Sequence, residues 1–130
     1  MKNKLCLCLL IGLAACGLNA QELRWVKGNT HAHTSNSDGN ETPRRVMRWY
    51  QDYGYHFLVI TDHDMITETR ALDSDPNDDF ILIPGEELTL RLGESRTHVC
   101  ALNPSRLATA KAGKSVVETL QNEIDAARSV

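Results

Sequence analysis

His56-Phe57-Leu58-Val59-Ile60-Thr61-Asp62-His63-Asp64 is the stretch on which the fold turns. Its first five residues make a run short and β-branched enough for a strand buried on both faces. The run then stops in Thr61-Asp62-His63-Asp64. Upstream, Leu23, Trp25 and Val26 begin a second strand, expected over about Arg24 to His31. Between the two strands lies a helix, with Thr42 as N-cap, Pro43 at the first helical position and Gly54 as the stop. Val46, Met47 and Tyr50 recur at helical spacing, and Trp49 and Tyr53 read as packing residues. The loop Thr34 to Asn40 is rich in Ser, Asn, Asp and Gly and reads as an exposed turn. Strand, helix and strand in this order form a right-handed βαβ unit, so the two strands should be parallel neighbours with their C-terminal ends side by side. His31, His33 and His63 fall at those ends, where α/β folds place their sites.

Outward from this unit, Ala71 to Asp79 carries four aspartates with Pro76 and Asn77. It lacks the glycine and terminal glutamate of an EF-hand loop, and a solvated acidic loop is the better reading. Phe80-Ile81-Leu82-Ile83-Pro84 is a third apolar strand, ending in Gly85-Glu86-Glu87. Leu88 to Leu92 and Thr97 to Leu102 form a strand-like pair around Gly93-Glu94-Ser95-Arg96, with His98 near the start of its second member. After Asn103-Pro104 breaks the pattern, Ser115 and Glu118 make a capping box. Val116, Val117, Leu120, Ile124 and Ala127 are the expected apolar stripe of that helix, which runs to Val130 without a C-cap. His56, at the opposite strand end from His63, reads as structural.

Met1-Lys2-Asn3-Lys4 and the apolar stretch Leu5 to Ala15 read as an export leader. The stretch is shorter than the roughly 20 residues that span a bilayer. Two processing sites fit. Residues 1–20 are a signal peptide if cleavage follows Leu18-Asn19-Ala20. Residues 1–15 are removed if Leu13-Ala14-Ala15-Cys16 is a lipobox, with a lipid anchor on Cys16 as the only link to a membrane. Either route implies a periplasmic, cell-envelope or secreted protein of a bacterium. Cleavage after Ala20 leaves Cys100 as the one cysteine, which excludes an intrachain disulfide framework and suits a small buried apolar side chain. Net charge is −3 over 130 residues. Beyond the leader, 12 basic against 17 acidic side chains remain, so nucleic acid is not an expected partner.

Three apolar strands thus end in metal-competent side chains: His31 and His33, then His63, then Glu87. Asp38 and His98 lie near them. His-x-His in an extended segment presents two imidazoles to one face. Taken alone, such a pair has a plain surface explanation; several ligand-type residues along one sheet edge do not. Imidazole with carboxylate suits zinc, iron or manganese, and a glutamate among histidines can bridge two ions.

His31-Ala32-His33-Thr34, Ser37-Asp38-Gly39, Ile60-Thr61-Asp62-His63-Asp64, Pro84-Gly85-Glu86-Glu87 and His98 resemble, in order and spacing, the successive N-terminal motifs of the PHP family. These are the polymerase and histidinol phosphatase metallohydrolases. The resemblance runs from about Trp25 to Asn103. It implies an α/β fold, the N-terminal half of a distorted TIM-like (β/α)7 barrel, over residues 21–130. It implies His31 and His33 as ligands of a first metal, and Asp38 and His63 as ligands of a further one. Glu87 becomes the bridging carboxylate and His98 another ligand, with two or three Zn, Mn or Fe ions in all. Asp38, Glu87 and His63 stand at the catalytic centre in this reading. The family's Gly-x-Glu pattern selects Glu87, and strand alternation sends Glu86 toward solvent or a supporting partner. Asp62 either orients a ligand or is structural.

The family's later histidine and Asp-x-His pair find no match, since no histidine follows His98. The sequence therefore reads as the first half of a barrel. The implied activity is phosphoester hydrolysis by a metal-activated water on a small phosphorylated substrate. Ester or carbamate hydrolysis and metal binding without catalysis are the alternatives. Arg96 and Arg70 are the basic candidates for the substrate, each with a surface role as its alternative.

Overall fold

In a computed structural model of the chain, residues 23–72 and 79–130 are described. The expected leader, Cys16 and most of the acidic loop lie outside them. The elements are β1 (Gly28–Asn29), α1 (Pro43–Asp52), β2 (Phe57–Ile60), β3 (Ile81–Leu92), β4 (Ser95–Leu102) and α2 (Val116–Arg128). Four strands form one sheet in the order β1-β2-β3-β4. β1, β2 and β3 are parallel, and β4 runs antiparallel to β3. This α/β arrangement is compatible with part of a βα barrel. Among the described residues no helix is long and apolar enough to cross a membrane.

The βαβ unit is present as expected. Pro43 opens α1 behind Thr42, whose side chain makes no capping hydrogen bond. Gly54 takes the positive φ (70°) that ends the helix turn. Met47 packs with Ala32, Leu58, Ile60, Phe80 and Leu82 between α1 and the sheet. Leu58 and Ile60 are wholly buried, each contributing about 2 kcal/mol through removal of apolar surface from water. The Tyr50 hydroxyl accepts from Asn29 Nδ2 at 2.6 Å and ties α1 to β1. Trp49 and Tyr53 stack on each other, 4.3 Å between centroids, but both stay about half exposed.

Three expectations need correction. The first strand is only Gly28–Asn29 rather than Arg24 to His31: Leu23 and Trp25 are fully exposed and pack against no described residue. Single hydrogen bonds carry the pairing further, from His56 N to Lys27 O and from Thr61 N to Ala32 O. The segments Phe80 to Pro84 and Leu88 to Leu92 are one continuous 12-residue strand, β3. Its first part pairs with β2 and its second with β4, with the exchange at Gly85. A Cβ on Gly85 would lie 2.7 Å from Val59 Cγ1 and 2.8 Å from Ile60 O, so only glycine lets the strands approach there.

The third correction concerns α2. Its capping box forms, with Ser115 Oγ accepting from Glu118 N at 3.1 Å, and Ser129 occupies the C-cap position. The start of the stripe is turned outward, however: Val117 is 77% exposed and Val116 40%, whereas Leu120, Ile124 and Ala127 are partly buried and Thr119 and Glu123 are fully so. Beyond β2 the outer edge of β3 has no strand partner among the described residues, and Glu123 Oε1 accepts from Leu90 N at 3.1 Å there. That backbone donor would otherwise be unsatisfied, and serving it rotates the polar positions of α2 inward. Ala126 and Ala127 of α2 complete a small cluster around Leu88, Ala101 and Ala108.

Glu86 lies on this same side of β3, with Leu88 and Ala101, and is buried rather than solvated. Its Oε2 accepts from Ala108 N at 2.8 Å. Burial pushes its pKa above the ordinary value, the Ala108 N–H partly opposes that, and the nearby Asp64 charge adds to it. The protonated form therefore supports folding. That contribution is complete below the ordinary glutamate pKa of 4.5 and is lost as pH rises through the elevated value. Glu86→Gln keeps the carbonyl acceptor and removes the charge. It should raise the melting temperature at pH 8 by about 4 °C more than at pH 5; equal shifts at the two pH values would contradict the buried-charge explanation.

Candidate metal centre

The other face of β3 carries Glu87, and five further ligand-type side chains meet around it among the described residues. Alternation decides this: Glu87, Thr89 and Arg91 face one way while Glu86, Leu88 and Leu90 face the other. Glu87 does not end a strand but sits in the middle of β3, just past the change of partner. There it is fastened to the segment following β2. Glu87 N donates to Asp62 O at 3.2 Å, Asp64 N donates to Glu87 O at 3.0 Å, and His63 bridges to Glu87 in parallel register. Asp64 turns the chain away with a φ of 52°.

The geometry brings the expected residues together. Glu87 Oε2 lies 2.9 Å from His33 Nε2, 3.4 Å from His63 Nδ1 and 3.8 Å from His31 Nε2. Glu87 Oε1 lies 3.2 Å from His98 Nδ1. Asp38 Oδ1 is 2.8 Å from His33 Nδ1, and its Oδ2 is 3.5 Å from His63 Nε2. His31 Nε2 and His33 Nε2 are 3.3 Å apart. Three overlapping groups result, each with its ligand atoms within 4.8 Å: His31–His33–Glu87, His33–Asp38–His63 and His63–Glu87–His98. His33, His63 and Glu87 each belong to two groups, so neighbouring groups share ligand candidates.

Glu87 tests whether an ion fits. Its side chain is 8% exposed, and Oε2 has no hydrogen-bond partner among the described residues, although His33 Nε2 lies 2.9 Å away. A buried carboxylate oxygen without a donor is costly. Imidazole nitrogens on several sides of that oxygen make a donor set that a divalent cation satisfies. The residues present therefore fit a metal.

Neighbouring groups hold the imidazoles in the orientation such a site needs. His31 Nδ1 lies 2.8 Å from Thr61 Oγ1, and the Thr61 hydroxyl is within 3.5 Å of Ala32 O. The network thus assigns the proton to Nδ1 and frees the Nε2 lone pair for the site. Cys100 was expected to be an inert apolar side chain. Instead it is half-buried, with Sγ 3.2 Å from His31 Nδ1, and it stands directly across the ladder from Glu87. Burial, and after it the Glu87 charge, pushes its thiol pKa up.

Thr89 escaped the sequence reading, although its place two residues after Glu87 puts it on the same face. Its Oγ1 lies 2.7 Å from His63 Nδ1 and 3.2 Å from His98 Nδ1, and the hydroxyl donates to Glu87 O at 3.2 Å. Thr89 N in turn donates to Asp64 Oδ1 at 2.8 Å. Thr89→Val preserves shape and removes the shared oxygen. It should weaken divalent-ion binding by about 10-fold in a calorimetric titration, with Thr89→Ser restoring affinity. Unchanged binding by the valine variant would contradict this role.

The Asp62 carboxylate is fully buried, and its hydrogen bonds go to Thr34, Ser37 and Thr67 rather than to the His63 ring. Oδ1 accepts from Thr34 N and Ser37 Oγ, each at 2.7 Å, and Oδ2 accepts from Thr34 Oγ1 at 2.7 Å and from Thr67 Oγ1. Burial raises its pKa, but the four hydrogen bonds outweigh that and hold it below the ordinary value. Asp62 thereby fixes the loop that carries Asp38. Gly39 lets that loop fold back: its N–H donates to Thr34 O, and a Cβ there would lie 2.6 Å from His33 O. His56 is structural, its Nδ1 accepting from Lys27 N at 2.9 Å.

No protein-family model matches the chain, and no curated protein does. Among solved structures the chain is similar to one from Bifidobacterium adolescentis, provisionally named a metal-dependent phosphoesterase. The two are 29% identical with a TM-score of 0.49, and the match covers 58% of this chain. It extends over 27% of that chain, so the match spans about a quarter of its length.

Proposed function

We propose that the chain carries a divalent-metal site of a hydrolase, and that its substrate is a phosphoester. The observation that supports this reading is Glu87: a buried carboxylate with an unpartnered oxygen, encircled by His31, His33, His63 and His98, with Asp38 joining His33 to His63. His31, His33 and Glu87 would hold one ion. His33, Asp38, His63, Glu87 and His98 offer the ligands of a second or third, with Zn, Mn or Fe matching the imidazole–carboxylate set. Such ions supply Lewis acidity and lower the pKa of a coordinated water.

The chain's own groups do the rest. Glu87 keeps the ligand nitrogens at its two oxygens. Asp38, 67% exposed, closes the solvent side between His33 and His63 and is the carboxylate best placed to take a proton from water entering there. His63 is positioned by Thr89 on one side and Asp38 on the other. The resemblance of the motifs around these residues to the PHP family favours phosphoesters. Export to the cell envelope or beyond rests on the leader sequence.

The test is activity of the full chain with added Mn²⁺ or Zn²⁺ on p-nitrophenyl phosphate and on an aryl carbamate, each with a chelator control. Chelator-sensitive phosphate release supports the proposal. Turnover of the carbamate alone, or metal binding with neither activity, overturns the phosphoesterase assignment.

A further inference from the structure

We infer that Arg91 and Arg96 form a guanidinium clamp that holds a second anionic group on the substrate, away from the bond that is cut. The inference rests on the phosphoesterase reading and deepens it. Its basis is the register of the β3–β4 hairpin. Glu87 pairs with Cys100, Thr89 with His98 and Arg91 with Arg96, so these three cross-strand pairs stack along one face. The first two pairs contain two metal-ligand candidates, Glu87 and His98, and two side chains that touch imidazoles of the site: Cys100 at His31, and Thr89 at His63 and His98. The third continues the same row toward the turn at Gly93, about 7 Å further along the strand.

Two arginines directly opposite one another are an unfavourable cross-strand pair, since like charges at this spacing repel. Both are exposed, and neither forms an ion pair or hydrogen bond among the described residues. Glu94, in the turn between them, forms no ion pair with either among the described residues. A repelling pair without local compensation, continuing a row of metal-ligand candidates, is matched in charge and fork geometry by a phosphoryl or carboxylate group. A phosphoester whose phosphate enters the metal centre and whose other end is anionic would bridge the two parts of the row. An uncharged leaving group would leave the clamp idle.

The experiment is calorimetric titration of the Mn²⁺-loaded full chain with three non-hydrolysable probes: phenylphosphonate, 4-carboxyphenylphosphonate and 1,4-phenylenebisphosphonate. The wild type should bind at least one doubly anionic probe about tenfold more tightly than phenylphosphonate, and comparing the two identifies carboxylate or phosphoryl as the preferred group. In Arg91→Gln/Arg96→Gln that advantage should vanish while phenylphosphonate binds as before. Arg91→Glu/Arg96→Glu should turn the advantage into a penalty. Equal affinity for all three probes in the wild type, or an advantage that survives both double variants, overturns the clamp and leaves the metal-site reading intact. Absence of metal-dependent phenylphosphonate binding overturns the phosphoesterase reading, and the clamp with it. Melting curves of the variants establish that the hairpin is folded.

Discussion

Glu87→Gln is expected to lower the chain's affinity for divalent metal by about 100-fold or more, the largest effect of any single substitution at the site. Glu87 is shared by two of the three ligand groups, and its oxygens lie within 3.8 Å of four different imidazoles. Glutamine keeps the size, but it removes the negative charge and replaces one acceptor oxygen with an NH2 group. Both groups that use Glu87 should then fail together, whereas His98→Ala should affect only the group containing His98. Without metal, the glutamine variant should be at least as stable as the wild type, because the buried oxygen Oε2, which lacks a donor, can be replaced by the NH2 group. A variant that binds metal normally would show that Glu87 is a structural acid with fortuitous neighbours.

Asp62→Ala is expected to cost about 4 kcal/mol of folding stability. It strips a buried acceptor from four donors at once: Thr34 N and the hydroxyls of Thr34, Ser37 and Thr67. Each stranded donor costs about 1–3 kcal/mol, less than additively because the loop can relax. Against a usual total of roughly 5–15 kcal/mol, that is a severe loss. The pH dependence carries a second signature. Because Asp62 titrates below the ordinary value in the folded protein, its contribution is present above that value and lost as pH falls through the lowered pKa. In urea unfolding, the wild type should lose this increment in acid, while the alanine variant should be weaker at pH 7 with a flatter acid limb. Metal affinity should also fall, since the loop holding Asp38 is anchored on Asp62. A loss below about 1 kcal/mol would mean that the loop is held by other contacts.

The parallel βαβ unit was legible in sequence because its signals agree: Pro43 behind Thr42, Gly54, and the apolar run before Thr61. The proximity of the six candidate ligands was suggested in sequence because His31, His33, His63, Glu87 and His98 each follow or lie on an apolar segment, with Asp38 in the loop just after the first. What local pattern could not carry was set by partner strands. β3 runs through Glu87 without a break because β4 takes over pairing where β2 ends, a long-range event with no local mark beyond Gly85. The burial of Glu123 on α2 goes with a backbone donor at Leu90 that it serves, not with hydropathy. Thr89 and Cys100 are ordinary residue types whose role lies in the register that sets them beside His63, His98 and His31. Burial of Glu86 likewise depends on Ala108, 22 residues away.

The central claim is that His31, His33, Asp38, His63, Glu87 and His98 together hold divalent ions around one buried carboxylate. Equilibrium dialysis of the full chain against Mn²⁺, with bound metal counted per chain, tests it most directly. The expected result is about two or more ions per chain, falling when Glu87 is replaced by glutamine. A wild-type chain that retains no ion, or a Glu87→Gln variant that retains as many as the wild type, would contradict it.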